Sequence, residues 1–191
     1  MINEVIITTL NTDGSTHMAP FGVRSRGKLV AIAPFRPSGS LDNMLRTRCA
    51  VVNCTDDVSI FAGCLTGRLD WPTREAIRVR GRVLEGALSH RELELVDVIE
   101  NELRPELAFS VVHEVMHAPF FGFNRAQGAV LELAVLVSRL HLLPMEKIAA
   151  EVSYLSTAIE KTAGERERQA RDWLLERIEN FKAEQSGENI A

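Results

Sequence analysis

The chain has 191 residues, 46% of them hydrophobic, and a formal charge of -4, which suits one sizeable domain, or a main domain with a smaller appendage, around a real core. This mildly acidic balance without a long Lys/Arg run argues against a nucleic-acid or polybasic membrane surface, and no apolar run has bilayer-spanning length. The N-terminus MINEVIITTL lacks the basic, apolar and cleavage regions of a secretion signal, and Cys49, Cys54 and Cys64, odd in number and without CxxC spacing, read as reduced core thiols of a cytoplasmic protein.

In chain order, VIITTL, a turn at Asn11 to Gly14, THMAPFGVRS, a turn at Arg26-Gly27 and KLVAIAPF predict a β-meander. PFRPSGSLDNMLR then has the layout of an anion-binding corner. Ser40 is expected to cap a helix with Leu41, Met44 and Leu45 on its apolar face and Asn43 three residues on, while Arg36, Ser38 and Gly39 stand just ahead. The first N–H groups of such a helix lack internal partners and carry the positive end of its dipole, and an arginine adds a planar fork for phosphate oxygens. Spacing alone favours an ordinary Ser-capped surface helix over an anion site. CAVVNCT predicts a buried strand, and Asp56 or Asp57 a cap for VSIFAGCL. AIRVRGRVLEGAL alternates Ile77, Val79, Gly81 and Val83 against Arg78, Arg80 and Arg82, as a strand with one wet face does. Ser89 is expected to cap a helix running to about Arg104, where Pro105 interrupts.

His113, Glu114 and His117 match HExxH, the zinc-protease string, which requires a helix placing both imidazoles on one face with the glutamate as general base. FSVVHEVMH is instead β-branched and alternating. In a strand, four residues separate the imidazoles by about 13 Å, too far for one ion, so a zinc hydrolase through these residues is a remote alternative and no metal ligand is assigned. From Asn124 the period changes: Val130, Leu133, Val137 and Leu140, then Met145, Ile148, Val152, Leu155 and Ile159, then Ala170, Leu174, Ile178 and Phe181 step by threes and fours. Three amphipathic helices broken at Pro144 and Gly164 should form a helical subdomain.

GxSxG, P-loop and strand-following GxGxxG signatures are missing, so any hard chemistry belongs to a cofactor. The order of TTLNTDGSTHMAPFGV, PFRPSGSLDNML, CAVVNCTDD and PFFGFNRAQGAVLELAVLVSRL resembles the flavin-reductase-like FMN-binding split barrels, in an archaeal and bacterial branch with a C-terminal helical extension. The resemblance covers the chain to about Leu140, with the helical tail beyond. It implies a mainly β plus α fold: a split β-barrel over residues 1–123, a helical subdomain over 124–185 and a disordered tail at 186–191.

It further implies FMN at a homodimer interface. By position, Arg36, Ser38, Ser40 and Asn43 would lie at the phosphate, and Ala19, Pro20, Phe21 and Gly22 on the ring-side strand, Gly22 allowing close approach. Asn53 and Thr55 would lie near the ribityl chain or ring. Arg125 either reaches the site or simply starts a helix, and Trp71 either shields the ring or fills the core. The implied function is a flavin-dependent oxidoreductase with NAD(P)H as redox partner. The alternative is a non-catalytic flavin or pterin-binding protein of tetrahydromethanopterin-linked one-carbon metabolism. Hydride transfer needs no acid or base, so no catalytic side chain is named.

Overall fold

The computed structural model describes residues 1–187, grouped by their contacts into two units: residues 1–56 with 70–120, and 57–69 with 121 onward. The first unit holds β1 (Ile2–Leu10), β2 (Thr16–Arg26), β3 (Leu29–Ile32), α1 (Gly39–Thr47), β4 (Cys49–Cys54), β5 (Thr73–Glu75), β6 (Arg82–Leu84), β7 (Ser89–Ile99) and β8 (Glu106–Met116). Six strands close an antiparallel barrel in the order β1-β2-β3-β8-β7-β4, sealed by β1 against β4. The turns between β1, β2 and β3 use Gly14 and Gly27, both at positive φ, which costs glycine nothing.

Period-two alternation sorts the strand side chains. Val5, Ile7, Val52, Leu93 and Phe109 fill the interior with Leu41 and Met44 of α1, each such burial worth about 1.5–3 kcal/mol. Cys49 and Val51 face the other way, against Val79 and Val83 beside the β5-β6 hairpin. The stretch expected as one strand from Ala76 is therefore cut short. Residues 77–79 instead turn their N–H groups onto the Glu92 carboxylate at 2.8, 2.5 and 3.0 Å, and only Arg82–Leu84 is strand.

A second expectation fails at Ser89, which opens β7 rather than capping a helix to Arg104. Glu and Leu favour helix intrinsically, but this segment is paired on both sides, by β4 and by β8. His90 and Glu92 are buried, and Leu93 and Leu95 fill the barrel, so tertiary burial of both faces overrides propensity.

The second unit packs α2 (Val58–Leu65), α3 (Arg125–Val137), α4 (Met145–Thr162) and α5 (Glu165–Ser186) around Ala62, Val130, Leu133, Ile148, Ile159 and Leu174. Each start has a local cause. Asp57 accepts from Ser59 N at 3.1 Å, Asn124 from Ala126 N at 2.7 Å, and Glu167 from Gly164 N at 2.8 Å, while Pro144 opens α4. Ser186 closes α5 with Gly187 as its left-handed cap; the rest of the expected tail, 188–191, lies outside the described residues. Among the described residues no helix is long and apolar enough to cross a membrane. The three cysteines are free, and burial pushes the Cys64 thiol up to about 11, which keeps it protonated and inert.

Candidate functional site

The expected corner forms at the start of α1, with one correction. Ser38, not Ser40, is the N-cap: it is extended at φ -155° and ψ 123°, and its hydroxyl accepts from Leu41 N at 3.3 Å. Gly39 and Ser40 are already helical, and Ser40 turns inward to meet His17 Nε2 at 2.8 Å. Shifting the cap by two residues keeps the chemistry, because the unpaired N–H groups now begin beside Gly39. A Cβ there would meet only the His17 ring at 3.8 Å, so a ligand can come close to the backbone.

Beside this helix start runs an incomplete strand edge. β1 pairs with β2 from Thr16 to Arg24, whereas β3 pairs only with Val23 to Arg26. Among the described residues, no strand bonds the other edge of Thr16–Gly22, and alternate residues there direct N–H and C=O outward. Ala19, Pro20, Phe21 and Gly22 lie in this segment, all half-buried. Pro20 has no N–H, so the donors come from its neighbours. The missing side chain of Gly22 is accounted for by β1, since a Cβ would stand 2.7 Å from Ile2 Cγ2.

The remaining expected residues divide. Arg36 lies just before the cap; its Nη2 pairs with Glu100 at 2.9 Å in an exposed ion pair, and its own N–H donates to Leu103 O at 2.8 Å. Asn43 is buried, donating to Thr9 Oγ1 at 3.2 Å and Asn11 Oδ1 at 3.0 Å and accepting from Arg46 at 2.9 Å. It braces α1 against β1. Asn53 is wholly buried: Nδ2 donates to Ile6 O and Thr8 Oγ1, both at 3.2 Å, and Oδ1 accepts from Leu84 N at 2.9 Å. Thr55 donates to Gly86 O at 3.1 Å. Trp71 is half-buried, and Arg125 is exposed on the first turn of α3 in the second unit.

His17 is the site residue that the sequence did not disclose. Burial pushes its imidazole below the ordinary histidine value, so the folded state prefers it neutral while the unfolded chain titrates near ~6.5. The resulting stability is present above the unfolded value and declines as pH falls through it toward the lower folded one. Wild-type denaturation midpoints should therefore drop more between pH 7 and pH 5 than those of His17→Gln. Parallel profiles would show that this ring does not contribute.

The HEVMH string lies at the end of β8, as a strand and the residue beyond it. Glu114 points away to Arg91 at 2.7 Å and is exposed, so the hydrolase arrangement of His113, Glu114 and His117 does not form. His90 faces Val115 in the register, between the two histidines, and its ring lies 5.9 Å from His113 and 5.0 Å from His117. A surface hollow in the second unit is spanned by its own groups, Arg68 stacking on Trp173 at 4.8 Å and pairing with Glu176 at 2.8 Å.

Solved structures share this architecture. An FMN-bound protein from Methanosarcina mazei, MM1853, of family model DUF447, is similar at TM-score 0.80 and 20% identity, over 92% of this chain and 94% of that one. The flavin reductase HpaC, complexed with NADP+, is similar at 0.55 and 20% identity, over 63% of this chain and 81% of that one. The 2-nitrobenzoate 2-nitroreductase NbaA of Pseudomonas fluorescens follows at 0.53 and 17% identity, over 60% and 64%. The barrel is thus that of the flavin-reductase-like split barrels, as the motif order implied, with a helical addition. No curated protein matches the sequence. Residues 3–118 match the N-terminal domain of the protein of unknown function DUF447 and residues 124–176 match its companion domain, so the chain belongs to the DUF447 family.

Proposed function

We propose that this chain is an FMN-binding flavoprotein acting as a flavin-dependent oxidoreductase in the cytoplasm, with the FMN phosphate at the start of α1 and the ring along the open edge of β2. The observation that carries this reading is the pairing of an anion-attracting helix start with an unpaired backbone edge next to it. FMN is a flat dianion with a polar rim, and needs an anion corner at one end and backbone donors beside an apolar slot at the other. Ser38, Gly39 and Ser40 offer the corner, and Arg36 adds a guanidinium with only Nη2 engaged by protein among the described residues. Bound FMN supplies the hydride chemistry; the chain's own residues bind, orient and shield it.

Asn43 and Asn53, whose polar groups are taken up by the fold, serve as braces behind the site in this reading. A second copy of the chain supplies the missing cover: Phe35 and Leu103 flank Arg36 and are 64% and 71% exposed, an apolar rim suited to a homodimer. The MM1853 structure, described as FMN-bound, and the NADP+ complex of the flavin reductase support FMN and a nicotinamide donor.

Freshly purified protein should show flavin absorption or regain it with added FMN, and NADPH or NADH should bleach it in an anaerobic stopped-flow trace. A colourless protein that fails to quench FMN fluorescence on titration sinks the reading. Bound FMN that neither nucleotide reduces would favour the non-catalytic flavin or pterin-binding alternative.

A further inference from the structure

His90, Glu92 and His113 come together on β7 and β8, on strands other than those that form the corner. Each offers one ligand atom, and the three atoms lie within 4.8 Å of one another. His90 and Glu92 are wholly buried. Glu92 and His113 are cross-strand partners, His90 lies two residues from Glu92 on the same face, and a register shift follows immediately after Glu92. The cluster is therefore fixed by strand pairing and does not depend on flexible surface side chains.

The hydrogen bonds among the protein groups leave ligand atoms of this cluster unpaired. Arginine only donates, so the Arg74 Nη2 at 3.0 Å from His117 Nε2 makes that nitrogen an acceptor. His90 Nδ1 lies 2.8 Å from the same nitrogen and must carry its ring's proton. In a neutral imidazole this leaves His90 Nε2 as a bare lone pair, facing Glu92 Oε1 at 3.4 Å. Two lone pairs then point at each other. Glu92 itself is held as an acceptor by the three N–H groups of residues 77–79, yet Oε1 takes only the bond from Ile77 and keeps one lone pair. Beside them, His113 Nε2 is buried without a hydrogen-bond partner. An extra proton on His90 would satisfy the pair but leave His113 stranded. A divalent ion would satisfy all three.

We propose that His90, Glu92 and His113 form a metal site for a borderline divalent cation of the zinc type, a site separate from the flavin corner and independent of the flavin reading. Two imidazoles and one carboxylate select such an ion over calcium or magnesium, which prefer all-oxygen sets. Bonds of about 2.0–2.2 Å require the ligand atoms, now within 4.8 Å of one another, to close up by about an ångström. The outer contacts have the form that metal-bound histidines adopt: His90 donates through its other nitrogen to His117, which Arg74 holds in turn. Through Glu92 the ion also locks residues 77–79 against β7.

The test uses the full chain, freed of any purification tag, dialysed and then titrated with zinc against a chromogenic chelator, and with cobalt(II) for visible spectra. We expect about one zinc per chain, and cobalt bands of the intensity typical of a low-symmetry site with nitrogen ligands. His113→Ala should lower zinc affinity by about 100-fold or more, and His117→Asn by about 10–100-fold. His141→Ala, an exposed histidine of the second unit, should leave it unchanged. Circular dichroism checks the fold, and His113→Gln replaces His113→Ala if the latter unfolds. No zinc retained, featureless cobalt spectra, or equal affinity in the wild type and the folded His113 variant would each overturn the proposal.

Discussion

Arg36→Ala should weaken FMN binding by about 1.5–3 kcal/mol, the range for a lost charge-assisted hydrogen bond, or about 10- to 150-fold in Kd. The ion pair that Arg36 makes with Glu100 does not stand in the way. Its side chains are 40% and 72% exposed, and such surface pairs contribute about 0–1 kcal/mol, so the guanidinium can turn to a dianion beside the start of α1 at little cost. Two controls sharpen the result. Riboflavin, which has no phosphate, should bind wild type and Arg36→Ala alike, and Glu100→Gln should leave FMN affinity equal or tighter. Fluorescence titration at fixed ionic strength reads all three, and an Arg36→Ala protein with wild-type FMN affinity would place the phosphate elsewhere.

Asn53→Ala should cost about 2–4 kcal/mol of stability, the largest loss expected from a single polar side chain here. Its amide links three elements at one buried point: β1 through Ile6 O and Thr8 Oγ1, β6 through Leu84 N, and its own strand β4. Truncation strands the Leu84 N–H in the buried interior and leaves the donors' former acceptors on β1 less satisfied. Asn53→Asp keeps the acceptor but loses both donors, so it should also destabilise, and more so once the carboxylate ionises. Urea denaturation followed by circular dichroism measures both, and a change under about 0.5 kcal/mol in Asn53→Ala would refute the bracing role.

Much of this architecture could be read along the chain, because local signals and burial agree there. The meander from Val5 to Ile32 is made of β-rich segments that turn at glycines, and the three late helices carry both the threes-and-fours period and their own stops at Pro144 and Gly164. β7 was illegible because its Glu-Leu repeat favours helix, and only pairing with strands distant in sequence makes it a strand. That misreading also hid His90 and Glu92, whose meeting with His113 depends on strand register. Within Ser38-Gly39-Ser40 either hydroxyl suits a cap, and backbone angles alone decide between them. His17 escaped notice because its partner Ser40 is brought to it only by the packing of α1 on β2. Long-range contacts of this kind leave no local trace.

The assignment of residues 57–69 to the helical unit, between two stretches of barrel chain, means that the helices are not a detachable tail. The chain leaves the barrel after β4, contributes α2 to the other core, returns for β5 to β8 and leaves again. A cut near residue 123 would strand Val58 and Ala62, which pack with α3 and α5 residues, as a bare apolar face on the remaining piece. Neither unit is contiguous along the chain, so no single break releases either of them whole.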